Sequence, residues 1–107
     1  MELFSEANKI EIEIYDVLKN VIDPELGINI VDLGLIYEIM FDKDNVIQIK
    51  MTLSSKGCPM GDVIMDNINN ELSEKFPQYK HNVELIWEPK WTTDYVTPEG
   101  RKELGIT

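Results

Sequence analysis

Cysteine is almost missing from this chain: its 107 residues hold one, Cys58. A single thiol excludes an intramolecular disulfide and any metal cage built from several thiolates of one chain. Basic residues are scarce too, 10 Lys and Arg against 20 Asp and Glu, for a formal net charge of −10. That balance weighs against a surface that tracks nucleic-acid phosphates and against docking on anionic lipid, so neither nucleic acid nor membrane is an expected partner. No apolar run approaches the ~18 residues of a membrane span, and the start, Met1-Glu2-Leu3-Phe4, lacks the basic region of a secretory signal. A reduced, cytoplasmic protein is the expectation. The glycine-rich phosphate loop, the His-Glu-x-x-His zinc pair and the Gly-x-Ser-x-Gly elbow are all absent. The lone histidine, His81, sits beside a polar turn and reads as surface.

What is present is globular: 43% apolar and 28% charged residues, with no repeat, linker or low-complexity tract, in a length that suits one domain over 1–107. Ala7, Ile10, Ile14, Val17 and Val21, with Leu18 beside them, form a helical stripe. Asn8 and Glu11 resemble a capping box with Ser5 as a rival N-cap, and Pro24 forces an end, so a helix is expected over about 6–21. Leu35, Tyr37, Ile39 and Phe41, then Ile47, Ile49, Met51 and Leu53, alternate with polar or outward residues around the turn cluster Asp42-Lys43-Asp44-Asn45. This is an antiparallel hairpin. Met60, Val63, Ile64, Ile68, Leu72 and Phe76 give a second helix, stopped by Pro77. Val83, Leu85 and Trp87 give a third strand ending at Pro89, and Thr97-Pro98-Glu99 opens a short last helix.

The order is helix, strand, strand, helix, strand. A strand-helix-strand crossover is normally right-handed and sets its two strands parallel. The expected fold is therefore α+β: a two-layer α/β sandwich with a small mixed sheet, its helices on the face of Ile47, Ile49, Met51 and Leu53. The other face carries Glu38, Gln48, Lys50, Thr52, Glu84 and Glu88, and is wet or open to a partner.

Cys58 has the most informative setting. In Ser54-Ser55-Lys56-Gly57-Cys58-Pro59 it follows a strand and precedes a helix, and Pro59 suits the first helical position, which makes Cys58 the expected N-cap. Backbone N–H groups and the helix dipole favour the thiolate there, the form that binds metals and attacks electrophiles. A buried cysteine acting as a small hydrophobe accounts for the same residue. Asp23-Pro24-Glu25 reads either as a cap, an N1 proline and a dipole-matched carboxylate on one helical turn, or as a source of carboxylates near the cysteine. Asp32 and Gly34 shape the approach to the first strand. Trp87 is in phase with the core, whereas Trp91 lies beyond the strand, where an aromatic anchors partners.

Together, Asp23-Pro24-Glu25, Asn29-Ile30-Val31-Asp32-Leu33-Gly34-Leu35-Ile36-Tyr37, Thr52-Leu53-Ser54, Gly57-Cys58-Pro59-Met60 and Trp87-x-Pro89-x-Trp91 with Glu99-Gly100-Arg101 make a pattern. It resembles the metal-sulfur cluster biosynthesis family, which includes SufT-type proteins, PaaD-like proteins and the eukaryotic MIP-eighteen assembly factors. The likeness spans about 10–106 and is nearest the stand-alone bacterial SufT type. It implies a fold similar to iron-sulfur assembly domains and a role in maturing or delivering clusters to apo-proteins, without turnover of a small molecule. The implied partners are apo iron-sulfur proteins and SUF-type assembly proteins. The family's pocket maps onto Asp23, Glu25, Leu26, Ser54 and Cys58, with Thr52 in the same motif as Ser54 and with Asp32 and Tyr37 in the adjoining one. Trp91 and Arg101 fall in the motifs expected to meet a partner. Ser54 is a departure, since members often carry threonine there; the hydroxyl is kept and the methyl lost.

A cluster usually needs four protein ligands, so one thiolate holds none stably. Three routes follow. Two chains could pair Cys58 across a homodimer axis; Cys58 could hold a transient iron-sulfur cluster during handover; or the protein could recruit targets as an adapter. The second and third together suit a poor ligand set. Two rivals stand beside them. One is an accessory role in a phenylacetate-type ring-oxygenase pathway, against which the lack of a cysteine-rich extension after Thr107 counts. The other is a thiol enzyme with Cys58 as nucleophile and Asp23 or Glu25 as base.

Overall fold

The computed structural model describes residues 6–55 and 60–105. Helix α1 covers Glu6–Leu18, strands β1 (Ile22–Asp23) and β2 (Ile28–Asn29) follow, and the hairpin β3 (Ile36–Phe41) and β4 (Val46–Met51) comes next. Helix α2 (Gly61–Lys75), strand β5 (Lys80–Leu85), a 3₁₀ turn at Thr93–Tyr95 and helix α3 (Pro98–Leu104) complete the chain. The larger sheet has the order β3-β4-β5. Strands β3 and β4 are antiparallel and β4 and β5 parallel, the mixed sheet that the crossover demands.

One face of that sheet is covered by helices. Ile47, Ile49 and Met51 of β4 are fully buried, as are Ile14 and Leu18 of α1 and Ile64, Ile68 and Leu72 of α2. Burying each such side chain contributes about 1.5–3 kcal/mol. The other face keeps the expected polar ladder. Glu38 faces Lys50 across the strands with a 3.6 Å ion pair, and Gln48 accepts from the Asn82 side chain. Thr52 does not belong there: it lies past the end of β4, where its N–H donates to the Leu35 carbonyl, and it is buried.

Several boundaries differ from expectation for identifiable reasons. Helix α1 starts at Glu6, upstream of Asn8; Ser5 lies outside the described residues. Glu11 caps no helix end and instead accepts from the Phe41 N–H of β3. The helix ends at Leu18 rather than 21, because i to i−3 bonds from Asn20 and Val21 tighten the exit and free Ile22 for β1. The strands β1 and β2 escaped sequence reading because two residues carry no alternation. They pair Ile22 with Asn29 and Asp23 with Ile28. The Asp23-Pro24-Glu25 segment does make one helical turn, closed by Gly27 N–H to the Asp23 carbonyl.

Strand β5 begins three residues before the expected start and ends at Leu85. Its ladder stops where β4 stops, with the Ile86 N–H on the Met51 carbonyl. His81 is consequently a half-buried strand residue opposite Ile47 rather than a turn residue. A bulge between Ile36 and Glu38 disturbs β3 and takes Tyr37 out of step with Ile39 and Phe41. Finally, the N-cap of α2 is Met60 rather than Cys58, with no side chain capping the turn. Cys58 and Pro59 lie outside the described residues.

Candidate functional site

Strand β4 and the ladder of β5 end together, so the chain segments beyond them define a concave surface at one edge of the fold. Thr52, Leu53, Ser54 and Ser55 leave β4 on one side, while Trp87, Glu88, Lys90 and Trp91 leave β5 on the other. They line a cleft of about 560 Å³. Ser55, on the wall of this cleft, is the last described residue before the four that include Cys58. The lining combines two indoles, hydroxyls, one ammonium and one carboxylate, which suits binding of a mixed polar and apolar surface. Trp91 is fixed by a 2.7 Å bond from its Nε1–H to the Leu33 carbonyl. Sequence reading assigned Trp87 to core packing. It does pack against the core, yet it also lines the cleft. The missed signal is its place two residues past the last paired residue of β5.

A second cleft of about 550 Å³ lies on the open face of the sheet, lined by Gly34, Ile36, Tyr37, Glu38, Lys50, Ile86, Pro89 and Tyr95. The bulge puts Tyr37 here. Its hydroxyl donates to the Pro89 carbonyl at 2.8 Å and its ring tilts against Tyr95, with centroids 5.7 Å apart. Burial, and then the nearby Tyr95 and Glu88, hold its phenol pKa above the usual value.

The other expected site residues are placed differently. Asp23 is buried, and its Oδ1 accepts from the N–H groups of Glu25 and Leu26, while Oδ2 has no partner among the described residues. Glu25 and Leu26 are exposed on that turn, and neither cleft includes any of the three. Asp32 is committed to architecture. Its Oδ2 accepts from Asn29 and its Oδ1 from the Thr97 hydroxyl, while its carbonyl takes the Thr97 N–H. Thr97 in turn caps α3 by accepting from Gly100 N–H. Arg101 folds back, its guanidinium donating to the carbonyls of Val96 and Thr93. Thus Thr52, Ser54 and Trp91 share one cleft, Tyr37 lines another, and Asp32 and Arg101 tie down the C-terminal segment. Among the described residues no group of three His, Cys, Asp or Glu side chains is arranged to hold a metal ion.

The family model described as "Iron-sulfur cluster assembly protein" matches residues 11–85. The chain belongs to that family. Its match takes in the later part of α1, the hairpin, α2 and β5, and with them the Thr52–Ser55 side of the strand-end cleft. Among its members, the Fe-S protein maturation auxiliary factor YitW of Bacillus subtilis is 40% identical, over 87% of this chain and 91% of that protein. The Fe-S protein maturation auxiliary factor SufT of Staphylococcus aureus is 42% identical, over 81% of this chain and 99% of that one. The crystal structure of a DUF59 domain of unknown function from Bacillus anthracis superposes with a TM-score of 0.89 at 36% identity, covering 94% and 96% of the two chains. The iron-sulfur assembly fold expected from the sequence motifs is the fold observed.

Proposed function

We propose that this protein is a maturation factor for iron-sulfur proteins, acting as a non-catalytic carrier or adapter in the cytoplasm. Its cargo is a cluster or the apo-protein that receives one, and its partners are apo iron-sulfur proteins and the machinery that builds clusters. The observation that carries this reading is the family match over residues 11–85, joined to close identity with two maturation auxiliary factors over nearly their whole lengths. The strand-end cleft supports it physically. Two indoles offer apolar area, and the hydroxyls of Ser54 and Ser55 with the charges of Glu88 and Lys90 offer polar contacts, to a protein surface.

In this reading Cys58 takes the cluster in passing, and Ser54, Trp87 and Trp91 hold the recipient, with Thr52 buried behind them. One thiolate gives a poor ligand set, which favours release over retention. Asp23, with a carboxylate oxygen buried and unpartnered among the described residues, sets the shape of the Asp23–Gly27 turn with Glu25 and Leu26 at its surface.

The test is anaerobic. Wild type and Cys58→Ala are purified, iron and acid-labile sulfide are counted, and each is added to a cluster donor and an apo-enzyme. Handover predicts far less than one cluster retained per chain and faster reactivation of the apo-enzyme by wild type than by the alanine variant. Equal reactivation by the two proteins would remove Cys58 from the mechanism and leave recruitment alone.

A further inference from the structure

Strand β5 is the outer strand of the order β3-β4-β5, and it carries a pattern that one partner matches: a second copy of itself. In a parallel ladder, alternate residues bond inward. The Ile86 N–H donates to the Met51 carbonyl while Met51 stands opposite Leu85, so Asn82, Glu84 and Ile86 bond to β4. His81, Val83 and Leu85 therefore turn their N–H and C=O groups toward the open edge. Exposed edges of this kind pair with other strands unless charges forbid it.

The charges here select one pairing. A two-fold axis normal to the sheet sets β5 antiparallel to its copy, and bonded pairs must form between outward-facing residues. With the axis at Asn82, His81 bonds opposite Val83, and Lys80 stands opposite Glu84 of the copy, twice over. These are the close, non-hydrogen-bonded positions, where opposite charges stabilise and like charges repel. Lys80, Asn82 and Glu84 are all exposed. On the helix side the same register sets Leu85, which is 36% exposed, opposite Tyr79 of the copy. Tyr79 already stacks near Phe76 and packs edge-on to Phe41, so it is fixed for that contact. A two-fold at residue 80 would oppose two lysines, and one at residue 84 two glutamates.

We propose that β5 pairs with β5 of a second copy, centred on Asn82, to make a six-stranded sheet. The five residues Lys80–Glu84 that pair on each strand form a short seam, so the dimer is weak and concentration-dependent. The arrangement has a consequence for the cleft. Antiparallel strands place the two strand-end clefts at opposite ends of the seam, ~20 Å or more apart at ~3.3 Å per residue. Each copy then presents its own cleft, and the dimer forms without a shared cluster. It stands whether or not the maturation reading does, because its readout contains no iron.

Sedimentation of the reduced, metal-free full chain over a concentration series tests it. Wild type shows reversible monomer–dimer behaviour. Lys80→Glu and Glu84→Lys each weaken association about tenfold, since two attractive pairs become two repulsive ones. The double variant K80E/E84K restores it to within about threefold. In a Cys58→Ala background, Asn82→Cys gives a disulfide-linked dimer under mild oxidation. Four results would overturn the proposal: a monomer at every concentration, a dimer indifferent to both single reversals, a double variant no better than the singles, or β5 amides that gain exchange protection only when another protein is added.

Discussion

Two regions built from the same kind of motif residue behave in opposite ways. Around Asp32, every polar group named has an internal partner: Asn29, Thr97 and Arg101 close a network that docks α3 against β2 and the loop before β3. Around Ser54, the residues end a strand and face a cleft, with the hydroxyls and the Trp87–Trp91 segment gathered at an open surface. Both regions came from short motifs that looked alike on paper. The difference teaches that a motif residue's role depends on whether the fold closes its side chain into an internal network or sets it at an open surface. Changes in the first region should act on stability, and changes in the second on function at constant stability.

The largest expected effect is at Gly34. Its φ is +77°, and a Cβ there would collide with the backbone and side chain of Tyr95. Gly34→Ala combines left-handed strain with a clash against backbone, and should cost about 3 kcal/mol or more in urea unfolding. Asp32→Ala follows. It strands the Asn29 amide and the Thr97 hydroxyl, and should cost about 2 kcal/mol, with α3 amides losing exchange protection first. Trp91→Phe sharpens the boundary between the regions, because its indole lines the cleft but bonds to Leu33. About 1 kcal/mol of stability should go with that bond. Ser54→Ala should change stability by less than about 0.5 kcal/mol while slowing apo-enzyme reactivation.

The smallest effects are those of pH, and they have opposite signs. The carboxylate of Asp42, half-buried, accepts first from Val46 N–H and also from Asp44 N–H and the Gln48 amide, which holds its pKa below the ordinary 3.8. Its contribution to the β3–β4 turn is present above the unfolded pKa and fades as pH falls through the folded one. Tyr37, with its pKa raised from 10.0, contributes below its unfolded pKa and loses that contribution as pH rises through the folded one. Side-chain NMR titration of both residues reads the two directions.

Much of this was legible in the sequence. The alternation of Ile47, Ile49 and Met51, the stripe of Ile64, Ile68 and Leu72, and the Thr97-Pro98 cap each report a local periodicity or a local bond, and each stands as expected. What failed was set by distant partners. Strand β5 takes its limits from β4, so Trp87 left the ladder. The bulge at Tyr37 moves that ring to the other cleft. Asp32 and Thr97 meet across 65 residues of sequence, which no local pattern announces. The Asp23 turn was read correctly as one helical turn, whereas its two flanking strands, each two residues long, carry no period to detect.

The central claim is that Cys58 and the strand-end cleft serve cluster maturation while the Asp32 network serves only the fold. Its most direct test is in cells whose own copy of the gene is deleted, supplied with wild type, Cys58→Ala or Asp32→Asn at matched soluble protein levels, with the activity of an iron-sulfur-dependent enzyme measured in each. The account predicts that Asp32→Asn supports near wild-type activity once its abundance is matched, while Cys58→Ala supports no more than the deletion strain. Full activity with Cys58→Ala, or loss with Asp32→Asn at equal abundance, would contradict it.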